Sequence, residues 1–305
     1  MTETRLESIL GRLLEGAPPT EADRDALLGA RDLLALGMAA DELRRRRHGA
    51  RVTFVRVASI DAGAAASGDV RWSGAPGELR LDGRCDDPDQ AISAVRHAAA
   101  ASGGIPVTGF SLADLEATAA ASQDALPDLL RRLREAGLAA IAAAPLDAVQ
   151  DLDAAVAAAE QAGLPIARLT IDRLRAPDRD RLLRTAAALV ESHPGLRVFA
   201  PLPRRLAAAS PSTGYEDVHL VALARLLVPV EHIQVDWALY GPKLAQVALA
   251  FGADDIDAVS PLDEVAEGRR RAPLEEIRRN ITAASAEPVE RDALFDVRSA
   301  PGSAA

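Results

Sequence analysis

The chain of 305 residues holds one cysteine, Cys85. A single thiol excludes an internal disulfide framework. It also excludes a thiolate metal site, because structural zinc and iron–sulfur centres draw three or four ligands from the protein. Histidine is sparse as well: His48, His97, His193, His219 and His232 never recur at i, i+3 or i+4. No imidazole metal signature exists locally, each histidine reads as a surface or capping residue, and no metal ligand is assigned. No charge-free apolar run reaches the length of about 18 residues that a membrane helix needs. The first ten residues are polar and amphipathic, unlike a signal peptide, so a cytoplasmic protein without a membrane span is expected. Glycine-rich nucleotide-binding loops, a nucleophile elbow and zincin patterns are all missing.

What is present is acidic, apolar and periodic. Asp and Glu total 45 against 35 Lys and Arg, a net charge of −10, which disfavours nucleic acid or an anionic membrane as a general partner. Two basic runs, Arg44 to Arg47 and Arg269 to Arg271, read as solvated helix ends, where cations complement the helix dipole. The first fifty residues read as helices. Leu6, Ile9, Leu10, Leu13 and Leu14 recur at helical spacing, and Gly16 with Pro18 and Pro19 stops them. Thr20 followed by Asp23 is an N-cap arrangement short of a full capping box.

Gly49 breaks this pattern, and Arg51 to Val57 is β-rich with no helical period. The stretch from Ala58 to Gly83, rich in Gly, Ala and Ser, reads as a loop or irregular hairpin. Asp86 to Ala101 resumes as helix with Pro88 in its first turn. Short apolar segments come next at Ile105 to Phe110, Leu138 to Ala142, Pro165 to Ile171, Leu196 to Ala200, His232 to Trp237 and Asp255 to Val259. Helical stretches such as Leu126 to Ala136, Leu152 to Ala162, Arg179 to Val190 and Pro242 to Phe251 separate them. Strand and helix in regular succession predict about seven parallel strands in an α/β, TIM-like (β/α) barrel, complete or open. An open doubly wound sheet is the alternative. The expected division is a helical extension over 1–50, a barrel over 51–297 and a disordered tail over 298–305.

Barrel active sites gather at the C-terminal ends of the strands. Gln234, Asp236 and Trp237, and the acidic group Asp254, Asp255 and Asp257, are therefore the candidate ligand-binding residues. The bland alternative makes these acids helix caps or exposed loop residues. No catalytic residue is assigned.

The C-terminal third is specific enough to suggest a family. Thr213-Gly-Tyr-Glu-Asp217, Val221-Ala-Leu-Ala-Arg225, His232-Ile-Gln-Val-Asp-Trp237 and the run from Gly241 to Asp257 resemble the end of the barrel in aminofutalosine synthase. They also resemble cyclic dehypoxanthine futalosine synthase and the related deazaflavin-forming enzymes. Pro288 to Phe295 is similar to the closing segment of these radical S-adenosylmethionine enzymes, and Asp32 to Gly37 with Ala40 to Phe54 is similar to the approach to their first strand.

The resemblance implies a CxxxCxxC loop after the first strand, holding a 4Fe–4S cluster that binds S-adenosylmethionine. Here Ala58 to Ser67 holds no cysteine, and Ser or Asp cannot replace soft thiolates. Ala142 to Leu146 stands where the family has a glycine-rich turn, and Asp172 to Arg175 where it has a histidine and a glutamate. No cofactor is therefore expected, and radical activity is expected to be absent. The leading expectation is a non-catalytic homologue in futalosine-dependent menaquinone synthesis, acting through an intact paralogue or another enzyme of that pathway. The alternative is a cluster-independent enzyme or small-molecule binder using the barrel mouth, with one aspartate as general base.

Overall fold

In the computed structural model the described residues are 3–205, 213–265 and 270–298. Three helices come first: α1 (Glu3–Leu14), α2 (Glu21–Leu28) and α3 (Leu33–His48). The start of α2 is a complete capping box, since the Thr20 side chain accepts from the Asp23 amide while the Asp23 carboxylate accepts from the Thr20 amide. Asp is one methylene shorter than Glu but closes the same ring, which corrects the expectation of an incomplete cap. These helices pack against the outside of the barrel built by the rest of the chain. Tyr215 donates its hydroxyl to the Arg31 carbonyl, and Gly37 admits the ring of Phe251, which a Cβ would meet at 2.5 Å.

The strands are β1 (Arg51–Asp61), β2 (Glu78–Asp82), β3 (Val107–Ser111), β4 (Ala140–Pro145), β5 (Leu169–Ile171), β6 (Val198–Pro203), β7 (His232–Asp236), β8 (Asp255–Val259) and β9 (Glu287–Arg291). Strands β1 to β8 pair in chain order, all parallel, and β8 returns to β1, so the sheet closes into an eight-stranded barrel. Closure excludes both the open barrel and the doubly wound sheet. It is possible because β1 is long: its first half pairs with β9 and its second half with β2 on the same edge.

Around the barrel run α4 (Ala62–Ala66), α5 (Pro88–Ala101), α6 (Leu112–Ala121), α7 (Leu126–Ala136), α8 (Leu152–Ala162), α9 (Arg179–Ser192), α10 (Gly214–Leu227), α11 (Trp237–Leu249) and α12 (Pro273–Ala283). Each helix turns apolar residues inward, as Leu129, Leu130 and Leu133 do on α7 and Leu182, Leu183 and Ala186 on α9. Burial of such side chains, worth roughly 1.5–3 kcal/mol each, fixes the helices against the outer face of the sheet.

Several expectations are corrected. The segment read as a loop over Ala58 to Gly83 contains the end of β1, the five-residue α4 and all of β2. Strand β2, Glu-Leu-Arg-Leu-Asp, alternates charge with leucine, so it lacks the continuous apolar run that marks a buried parallel strand. The Arg44 to Arg47 run is not wholly a solvated end: Arg44 is buried and pairs with Asp41, and Arg47 donates to the Val230 carbonyl. Arg269 lies outside the described residues. Of the tail, Arg298 donates to Glu290 and to the Ala75 carbonyl, whereas 299–305 lie outside the described residues. No helix among the described residues is long and apolar enough to cross a membrane.

Candidate functional site

The lumen of the barrel is polar. Alternate residues of β2, β7 and β8 and the residue just before β5 point inward, and here they bear charge or an amide: Glu78, Arg80, Arg168, Gln234, Asp255 and Asp257, all buried. Arg80 donates to Glu78 at 2.7 Å and forks onto both oxygens of Asp257 at 2.7 and 3.1 Å. Arg168 donates to Asp257, to Gln234 at 3.4 Å and to Glu78 at 3.4 Å, while Thr108 donates to Glu78 at 2.5 Å. Towards the N-terminal end, Arg291 of β9 forks onto Asp255 at 2.6 and 2.7 Å, and Gln234 and Thr53 donate to the same carboxylate.

Three buried carboxylates (Glu78, Asp255, Asp257) thus meet three guanidiniums (Arg80, Arg168, Arg291). An unpaired charge at this depth would cost several kcal/mol. Burial alone would raise the pKa of Asp257 and Glu78, but their arginines outweigh it and hold both carboxyls below the usual range. Arg168 is pulled down, first by burial and next by the charge of Arg80.

This network floors a cavity at the C-terminal mouth, with a volume of about 200 Å³, walled by Arg80, Arg168, Arg204, Asp172, Ser111 and Phe110. Arg204 reaches it from the end of β6 and pairs with Asp236 at 2.8 Å. One donor here is uncommitted: the buried Nε of Arg168 finds no acceptor among the described residues. Buried donors are almost always satisfied, so this atom is an exception within the network.

The candidates named from sequence divide among three places. Asp236 sits at the mouth, where one oxygen caps α11 through the Leu239 amide at 2.8 Å and the other holds Arg204. Gln234, Asp255 and Asp257 lie deeper, inside the lumen network. Trp237 opens α11 and is half buried, packed against the hydrophobic core. Asp254 precedes β8, at the opposite end of the barrel, where it binds Arg225 and His232. Sequence reasoning missed Glu78, Arg80, Arg168 and Arg204. Arg80 and Glu78 stood in a stretch read as a loop; the available signal was charge alternating with leucine across Glu78 to Asp82. The reading of the histidines as surface or capping residues is corrected for His219 and His232, which are buried, whereas His193, also buried, does cap α9.

The segment where the resemblance places cluster ligands does not supply them. Ala58 to Ser67 forms the end of β1 and α4, capped by Asp61 through the Ala64 amide at 2.8 Å, and offers no sulfur. Cys85 is buried, and its thiol is pushed up to about 11, first by burial and then by Asp87, Asp86 and Asp61. Iron–sulfur clusters need thiolates, so these residues do not fit the group.

No family model matches the chain. Among curated proteins, a stretch is 38% identical over 92 residues to 5-amino-6-(D-ribitylamino)uracil–L-tyrosine 4-hydroxyphenyl transferase 2 of Methanosarcina mazei, covering 28% of this chain and 24% of that protein. A similar match, 34% over 97 residues and 28% of the relative's length, is found with the transferase of Archaeoglobus fulgidus. The matched stretch thus amounts to about a quarter of these relatives. Among solved structures, methylornithine synthase superposes with a TM-score of 0.64 at 16% identity, covering 92% of this chain and 97% of that one. The FeFe-hydrogenase maturase HydG of Carboxydothermus hydrogenoformans gives 0.65 at 13%, covering 94% and 80%.

These likenesses support the expected TIM-like barrel, whose closure the expectation had left open. They overturn the pathway: the curated relatives are named as uracil–tyrosine transferases, not as futalosine or menaquinone enzymes, and the non-catalytic role in menaquinone synthesis falls with that assignment. The chain thus shares a closed parallel barrel with these solved structures, and a stretch of it is similar to proteins named as ribitylaminouracil–tyrosine hydroxyphenyl transferases.

Proposed function

We propose that the chain binds a small carboxylate-bearing metabolite at the C-terminal mouth of its barrel, and that it does so without an iron–sulfur cluster. The observation that carries this reading is the guanidinium lining of the mouth cavity, where Arg80, Arg168 and Arg204 come together and the buried Nε of Arg168 has no acceptor among the described residues. A guanidinium edge matches a carboxylate in shape and charge. Phe110, Ala142 and Ala143 supply an apolar side to the same cavity. Its volume of about 200 Å³ is below the roughly 300–1,000 Å³ of drug-sized sites, which favours a small acid or one end of a larger molecule. The relatives' name contains L-tyrosine, an amino acid with a carboxylate and an apolar body, and this is the first ligand to test.

The absence of thiols from 58–67 supports the second half of the proposal, since the radical chemistry implied by the resemblance starts at a thiolate-held cluster. Isothermal titration calorimetry of the full chain with L-tyrosine, simple aliphatic carboxylates and inorganic phosphate tests the first half. Binding of a carboxylate, weakened tenfold or more in Arg204→Gln and in Arg168→Gln, supports the reading. A folded protein that binds none of these, or binds them equally well in both variants, overturns it.

A further inference from the structure

At the N-terminal end of the barrel, opposite the mouth, three metal-ligating side chains from three elements converge. His48 ends α3, His232 opens β7, and Asp254 stands immediately before β8. His48 Nε2, His232 Nδ1 and an Asp254 oxygen all lie within 4.8 Å of one another. His232 Nδ1 is 2.5 Å from Asp254 Oδ2, and His48 Nε2 is 3.3 Å from the same oxygen. The backbone carbonyl of Glu231 lies 3.0 Å from His48 Nε2 and offers a fourth ligand oxygen. We propose that His48, His232 and Asp254 form a binding site for a divalent zinc-class cation that ties the N-terminal helices to the base of the barrel.

The ligand chemistry suits zinc, which takes imidazole nitrogen and carboxylate oxygen at about 2.0–2.2 Å in tetrahedral sites. Ligand atoms around such an ion stand about 3.3 Å apart by that geometry, which is the His48 to Asp254 separation here. The His232 to Asp254 separation opens by about 0.8 Å when the ion replaces the proton between them. The surroundings resemble the outer shell that orients metal ligands. The other His232 nitrogen, Nε2, faces Glu231 Oε1 at 3.4 Å, and Asp254 Oδ1 is held by Arg225 and by the Ile233 amide at 2.9 Å.

The His48 and His232 rings stack with centroids 4.9 Å apart, and Phe295 lies over His232 at 4.5 Å, closing the site from one side. The His48 side chain keeps 14% of its surface exposed, which leaves an entry path. A cation satisfies all three groups at once.

The test uses the full chain, stripped with a chelator, dialysed against zinc chloride and assayed by plasma emission spectrometry. The expected result is one zinc per chain, a melting temperature raised by several degrees with zinc, and tetrahedral cobalt(II) absorption on substitution. His48→Gln, at the accessible rim, is expected to stay folded and lose both the zinc and the shift; His232→Gln and Asp254→Asn are expected to lose the zinc. Less than a tenth of an equivalent in the folded wild type overturns the site, as does zinc retained at full stoichiometry in folded His48→Gln. Should the His232 variant fail to fold, His48→Gln decides the question alone.

Discussion

At the residue scale the chemistry turns on whether a charged or nucleophilic atom is already committed. Asp257 receives the fork of Arg80 and a single N–H of Arg168 and is fully buried. Asp257→Asn leaves two guanidiniums facing one neutral amide, and losses from breaking such buried pairs run to about 3–5 kcal/mol. Urea unfolding followed by circular dichroism is expected to show a loss of that size. Cys85 illustrates the opposite condition, a nucleophile held inert. With its thiol pushed up to about 11, the thiolate fraction at pH 8 is small and the sulfur is covered. Iodoacetamide is expected to leave native Cys85 essentially unmodified at pH 8 and to alkylate it fully in denaturant, as read by intact mass. Rapid native labelling would show that the sulfur is accessible after all.

At the element scale, caps and inter-helix contacts set local stability. The capping box at Thr20 satisfies amides at the start of α2, and Thr20→Ala is expected to cost about 1 kcal/mol in the same unfolding assay. His193, the C-terminal cap of α9, bonds Glu160 at 3.0 Å and Asp153 at 3.1 Å, both on α8. Burial disfavours its charged form, yet the two carboxylates outweigh that and raise its pKa. A raised folded pKa means the contribution is full below the unfolded value near 6.5 and is lost as pH rises through the folded one. Stability is therefore expected to decline slightly as pH rises above about 6.5, and His193→Gln to remove that slope.

The elements also show what was legible beforehand. Strands β3 to β8 announced themselves as short apolar runs between helical ones, because a parallel strand buried on both faces needs such a run. Strands β2 and β9 did not: Glu-Leu-Arg-Leu-Asp and Glu-Pro-Val-Glu-Arg carry charges that pair inside the molecule, and a charge that will be neutralised looks the same in sequence as one destined for water. Helix α6 also went unread, although Ser111 with Asp114 marks its N-cap and only four residues separate it from α7.

At the scale of the whole molecule, the barrel is held from outside by apolar helices and from inside by ionised groups. The inner part responds to acid. Glu78 and Asp257 have pKa values depressed by their arginines, so their contribution is present above the unfolded carboxylate range near 4 and is lost as pH falls through the folded values. Stability is expected to be flat with respect to these groups between pH 5 and 7 and to fall steeply below about pH 4. An Asp257→Asn chain, less stable throughout, is expected to show a shallower acid limb when unfolding is followed across pH.

The sequence by itself determined the succession of helices and strands, hence a parallel α/β sheet, and it determined that this chain cannot supply three thiolates, because ligand chemistry depends on residue identity and it holds one cysteine. It also singled out Gln234, Asp236 and the acidic group at β8, since polar residues within buried strands need partners. Which partners they meet was decided only in three dimensions. Arg80 meets Asp257 across 177 positions, Arg168 meets it across 89, and His48 meets Asp254 on the far side of the barrel. Closure of the sheet brings strands distant in sequence around one axis, and the direction in which each strand's side chains alternate decides whether a charge faces the lumen, the mouth or the base.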